Sequence, residues 1–163
     1  VSLLIGSECE TAPKDRKGIT PLHLCATEKK GVFRHIATCI IEGGADIDSR
    51  DDDGRTPLFH AETTSVAEVL ISNKANILSF DYLGRTLLHA LAEKERFKKN
   101  IQELMLFFIY NGLDVNSRDR VGKTPLLRTR NHTCANILIQ RGADVSVVDK
   151  FGRGTSWSKR SRS

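Results

Sequence analysis

Gly18-Ile-Thr-Pro-Leu-His-Leu-Cys-Ala26 decides how this chain is read, because the sequence keeps returning to it. It comes back as Gly54-Arg-Thr-Pro-Leu-Phe-His-Ala61, as Gly84-Arg-Thr-Leu-Leu-His-Ala90 and as Gly122-Lys-Thr-Pro-Leu-Leu127. An aspartate stands three residues before each glycine, at Asp15, Asp51, Asp81 and Asp119. The later copies are preceded by matching tails: Gly44-Ala-Asp-Ile-Asp48, Lys74-Ala-Asn-Ile77 and Gly112-Leu-Asp-Val-Asn116. A further tail, Gly142-Ala-Asp-Val-Ser146, leads into Asp149-Lys-Phe-Gly152. A shared pattern with a period of roughly 33 residues is the mark of a stacked-repeat protein.

The residues of one copy carry their own physical logic. Glycine closes a tight turn where a left-handed backbone is cheap only without a β-carbon. Threonine then caps a helix that begins at proline, whose missing N–H would have been unpaired in the first turn anyway. Leu22, Leu58, Leu88 and Leu126 are the first core contacts of that helix. A second helix ends in an apolar triplet in each copy: Cys39-Ile-Ile41, Val69-Leu-Ile71, Phe107-Phe-Ile109 and Ile137-Leu-Ile139. Such all-round hydrophobicity suits a helix with neighbours on both sides, so the copies must stack to bury it. Successive turn glycines are 36, 30, 38 and 30 residues apart. Aligning the copies from both ends places every length change between the two helices, with extra residues around Glu28–Arg34 and Glu93–Asn100.

The Thr-Pro-Leu-His-x-Ala run resembles the signature of the ankyrin repeat. The resemblance covers residues 15–153 and implies an all-α solenoid of stacked helix-turn-helix units with β-hairpin tips. Four repeats fall at residues 15–50, 51–80, 81–118 and 119–148, with a degenerate fifth start at 149–153. Residues 1–14 read as a flank or partial repeat, and 154–163 as a basic Ser/Arg tail. In the family the histidine after the leucine hydrogen-bonds within the stack. His23 and His89 match that position, whereas Phe59 and Leu127 replace it in copies two and four.

Composition agrees with a soluble, core-forming chain: 39% apolar and 28% charged residues are too apolar for a disordered one. No apolar run approaches the roughly 18 residues of a membrane span. The formal charge of +5 is carried by Lys150, Arg153, Lys159, Arg160 and Arg162, and residues 1–149 are balanced. Cys9, Cys25, Cys39 and Cys134 show no ligand or disulfide spacing, and Cys25 and Cys39 read as buried free thiols. An intracellular location, cytoplasmic or nuclear, follows from that usage. The chain opens at Val1 without methionine and breaks its fifth repeat, so a piece of something longer is expected.

Catalytic chemistry is not legible. His23 and His89 fall on structural positions, and His35, His60 and His132 have no partner at ligand spacing. Asp51-Asp-Asp53 lies in one turn, unlike the spread acids of a calcium loop. No Walker loop, nucleophile elbow or HExxH motif is present. The reading is therefore no enzyme, no cofactor and no metal.

What the resemblance implies for function is binding of a protein partner through the tips and the concave first-helix surface. The tip residues are Arg16 and Lys17, then Asp52, Asp53 and Arg55, then Tyr82, Leu83 and Arg85, then Arg120 and Lys123. First-helix ends add Glu28, Thr64, Lys94 and His132. A surface that tracked phosphates would be basic throughout; this mosaic suits a protein, with nucleic acid confined to the basic tail. Tyr82 and Leu83 are the candidate anchors of an adaptor, scaffold or inhibitor. The alternative is a regulatory array of a larger enzyme, such as a kinase, phospholipase or ubiquitin-ligase subunit.

Overall fold

The structure is a computed structural model and describes residues 14–94, 99–155 and 157. Helix pairs repeat along it. Copy one has α1 (Pro21–Thr27) and α2 (Val32–Glu42). Copy two has a 3-10 turn (Pro57–His60) followed by α3 (Thr64–Ser72). Copy three has α4 (Leu87–Ala92) and α5 (Lys99–Tyr110), and copy four has α6 (Pro125–Arg128) and α7 (His132–Gln140). Each first helix packs on the first helix of the next copy, and each second helix on the next second helix. The result is an all-α solenoid with one continuous apolar core.

Turns set the register of the stack. In each copy the aspartate N–H donates to the carbonyl four residues on, and the glycine N–H donates back to the aspartate carbonyl. Between copies, the amide after the aspartate donates to the tip before it: Asp52 to Lys17, Tyr82 to Asp53, Arg120 to Leu83 and Lys150 to Val121. These bonds are 3.0–3.1 Å long. Tips this short close as turns, and among the described residues the β-type pairing is a single bridge between Val148 and Gly154.

The core leucines lie where the repeat puts them, with Leu22, Leu58, Leu88 and Leu126 at most 1% exposed. The central residues of three apolar triplets, Leu70, Phe108 and Leu138, are equally buried. Cys25 and Cys134 are buried free thiols, and burial pushes the Cys134 thiol up to about 11. Cys39 departs from expectation: it is exposed, because α2 turns only Ala37 fully inward. Cys9, the extra residues 95–98 and the tail from 158 onward lie outside the described residues.

Length differences are absorbed differently from the expectation that they fall only between the helices. Copies one and three have first helices of 7 and 6 residues, copies two and four only 4. The histidine accounts for part of this contrast. Thr20 and Thr86 form capping boxes in which His23 and His89 answer the cap. Phe59 has no ring nitrogen to answer the cap, and the buried Thr56 hydroxyl makes no cap bond and has no partner. The turn of copy two winds as 3-10. In copy four Thr124 still caps, accepting from the Leu127 N–H at 3.4 Å.

Candidate functional site

The tips present the candidate binding residues, and each tip is built on its aspartate, exposed at Asp15 and buried at Asp51, Asp81, Asp119 and Asp149. One oxygen of that carboxylate accepts two backbone N–H bonds of 2.8–3.0 Å, from the residues two and four positions on, at Asp15, Asp51, Asp81, Asp119 and Asp149. This makes the aspartate, which sequence reading noted but gave no role, the scaffold of the surface. Its repetition in every copy was the signal.

The second carboxylate oxygen meets a side-chain partner at four of the five tips. Arg85 takes Asp81 at 2.6 Å, and Arg153 takes Asp149 at 2.8 Å. Arg128 pairs with Asp119. In copy two the partner is His60, whose Nε2 lies 2.7 Å from Asp51. His60 therefore does have a partner, contrary to the sequence reading, because the turn Pro57–His60 carries its ring back over the tip. Burial disfavours the charge on Asp51 and Asp81. The amide donors of each loop, with His60 on one and Arg85 on the other, outweigh it and hold both carboxyls below the ordinary value.

His23 also lies near, its ring edge-on to His60 at 5.3 Å, and His23, Asp51 and His60 bring three ligand-type atoms within 4.8 Å. Both nitrogens of His23 are already committed. Its Nδ1 accepts from the Thr20 N–H at 3.2 Å, and its Nε2 donates to the Arg55 carbonyl at 3.1 Å. No lone pair of that ring faces the other two groups. His89 repeats the arrangement, donating to the Lys123 carbonyl at 2.9 Å. These two rings are the bonds within the stack that the histidine position implied.

The tip side chains divide into two rows. Residues directly after the aspartate cover the glycine of the preceding tip. The Tyr82 ring lies over Gly54, and the stems of Arg120 and Lys150 lie over Gly84 and Gly122. The next residues point outward without that duty, and Leu83, Val121 and Phe151 form an exposed apolar row. Arg16, Lys17, Asp52 and Asp53 are exposed on the first two tips. Arg55 and Arg85 are less free than their tip positions suggested. Arg55 is shared between Asp53 and Asp81 at 3.7 Å, and Arg85 bridges Asp81 and Glu93 with its side chain only 12% exposed.

On the concave side, Glu93 is held between Arg85 and Arg128. Glu62 takes Lys94 at 2.6 Å and Lys29 at 3.8 Å, with Asn100 donating to it as well. Of the first-helix residues expected to bind, Lys94 is thus neutralised and His132 packs edge-on against Trp157 at 4.5 Å. Glu28 is exposed and Thr64 half-buried. A cavity of about 830 Å³ opens between α4, α6 and the residues Gly154, Thr155 and Trp157. Nothing in the repeat pattern announced Glu93, Arg128 or Trp157 as its neighbours.

Burial lowers the pKa of both His23 and His89, outweighing the backbone carbonyl each one donates to. The unfolded chain therefore takes up these protons first, starting below the ordinary histidine value of about 6.5. Stability is full above that value and is lost as the pH falls toward the depressed folded values. The carboxylates Asp51, Asp81 and Glu62, also depressed, add a further loss below about pH 4. The urea midpoint is expected to drop between pH 7 and pH 5, and to drop less in His23→Asn/His89→Asn. A midpoint constant over that interval would show that the rings do not stay neutral in the stack.

Comparison with known proteins agrees with this architecture. A family model described as ankyrin repeats (3 copies) matches residues 1–81 and 26–119. The chain is 28% identical over 120 residues to "Ankyrin repeat protein OPG189" of variola virus, which covers 68% of the chain and 20% of that protein. It is 30% identical over 139 residues to human "Neurogenic locus notch homolog protein 1", covering 82% of the chain and 5% of that protein. The chain thus spans a fifth or less of the length of these relatives.

Proposed function

The chain belongs to the ankyrin-repeat family, and from that premise we propose that it is a non-catalytic module that binds a protein partner through its tips and concave face. Ankyrin repeats are in general protein-interaction modules; the finer reading, an adaptor, scaffold or inhibitor, is supported by the outer tip row. Leu83, Val121 and Phe151 are 54%, 36% and 69% exposed, although turns ordinarily place polar residues there. Three apolar side chains at equivalent positions of successive copies make a line that a partner can cover. Lys17 and Asp53 occupy the same position in the first two copies, so the apolar line is confined to one half of the array. None of the described helices is long and apolar enough to cross a membrane.

Tyr82 and Leu83 remain the anchors of this reading, now with separate duties. Leu83 is free to be covered, whereas Tyr82 holds the tip against Gly54. Interactors captured on the immobilised chain would be identified by mass spectrometry and then titrated as purified proteins. Leu83→Ser is expected to leave stability within about 0.5 kcal/mol. Tyr82→Ser/Leu83→Ser is expected to weaken partner affinity by about 2 kcal/mol. Unchanged affinity in the double variant would remove the third tip from the contact surface.

A further inference from the structure

We propose that the groove between α4, α6 and the residues Gly154, Thr155 and Trp157 is a docking site for an acidic protein segment that carries an apolar side chain. This rests on the protein-binding reading and names the chemistry of the partner at one place. The volume, about 830 Å³, is that of a ligand-sized cleft. Leu126 forms a fully buried floor, and Leu127 and the half-buried Trp157 supply apolar walls. His132, edge-on to the indole, fixes Trp157 at the end of the groove.

Charge decides the occupant. Of the cations that line the groove, Arg128 is spent on Asp119 and Glu93, and Lys94 on Glu62. Lys123 and Arg130 form no side-chain ion pair among the described residues, so the groove holds two uncompensated positive charges. Arg120 and Lys150 continue that field along the adjoining tips. Carboxylates on either side of an apolar residue would meet these cations while the apolar residue enters between Leu127 and Trp157. The chain's own terminus is a poor occupant, because Lys159, Arg160 and Arg162 come without an acid. A nucleic-acid strand is disfavoured too: the second tip turns Asp52 and Asp53 outward, which interrupts any basic track along the array.

Trp157 is the chain's one tryptophan, so its emission reports the groove directly. The full chain is titrated with the peptide Glu-Asp-Glu-Leu-Glu-Asp-Glu, and with its Lys-for-acid counterpart as control. A saturable change in emission is expected with the acidic peptide alone, weakening as salt rises. Affinity should fall about tenfold in Lys123→Glu/Arg130→Glu. Arg130→Gln, at an exposed and unpaired position, should weaken binding in the same direction and keeps the test open if the double reversal impairs folding. Partner affinity in Leu83→Ser reads the tip surface and this peptide titration reads the groove, so a failure of one and a failure of the other are told apart. No change in emission, equal response to the basic peptide, or undiminished affinity in Arg130→Gln would overturn the proposal. Tighter binding of a single-stranded oligonucleotide of equal charge would reassign the groove to nucleic acid.

Discussion

Leu88→Ala will lower the unfolding free energy by about 2–5 kcal/mol. Leu88 is fully buried in α4, which packs against the turn Pro57–His60 on one side and α6 on the other. A stack of this kind draws its stability from contacts between neighbouring copies, so a cavity at its centre weakens two interfaces at once. The backbone on either side is held by the tip ladder from Asp53 to Tyr82 and from Leu83 to Arg120, which limits how far the cavity can collapse. The expected cost therefore lies toward the upper part of the range. Urea unfolding monitored by circular dichroism gives the number. A midpoint equal to that of the native chain would mean that copies two and four do not close on Leu88.

Gly54→Ala is expected to cost more than about 2 kcal/mol, for two separable reasons. Gly54 has φ of +78°, where an L side chain pays roughly 1–2 kcal/mol. A β-carbon there would also lie 2.6 Å from Cδ1 of Tyr82, so the ring must leave its seat. Gly142→Ala isolates the first reason, since Gly142 has φ of +89° and nothing within 4 Å of the added carbon. The difference between the two variants measures the packing of Tyr82, and Gly54→Ala/Tyr82→Ser should bring the loss back toward the Gly142 value. Equal losses in Gly54→Ala and Gly142→Ala would show that the ring is not held on the tip. That outcome would release the Tyr82 ring, already 53% exposed, from its duty on the tip.

Much of this protein was determined by sequence alone, and the reason is that its repeats are local. Leu22, Leu58, Leu88 and Leu126 follow their glycines at fixed spacing, so each finds the core without reference to distant chain. His23 and His89 were legible for the same reason: their partner threonines are three residues away, and the next tip is brought to them by the period itself. The missing capping box of copy two was legible in Phe59, a substitution that removes the nitrogen on which the box depends. Cys39 was misread because the triplet pattern says that a helix has an apolar stripe, not how much of it a neighbour covers.

Only the tertiary structure decided how the surface is apportioned. Arg85 and Arg128 look alike in sequence to any exposed arginine, yet both close on Glu93, one of them from 35 residues away. Tyr82 and Leu83 are adjacent and about equally exposed, at 53% and 54%, yet only the Tyr82 ring lies over the glycine of the preceding tip. Lys123 and Arg130 line the groove beside Trp157 without an ion pair among the described residues, while Arg128 there is taken by Glu93 and Asp119. Repeat spacing fixes the backbone through hydrogen bonds and burial that recur in every copy. Side-chain pairing depends instead on which residues the stacking brings face to face, and a periodic pattern does not carry that information.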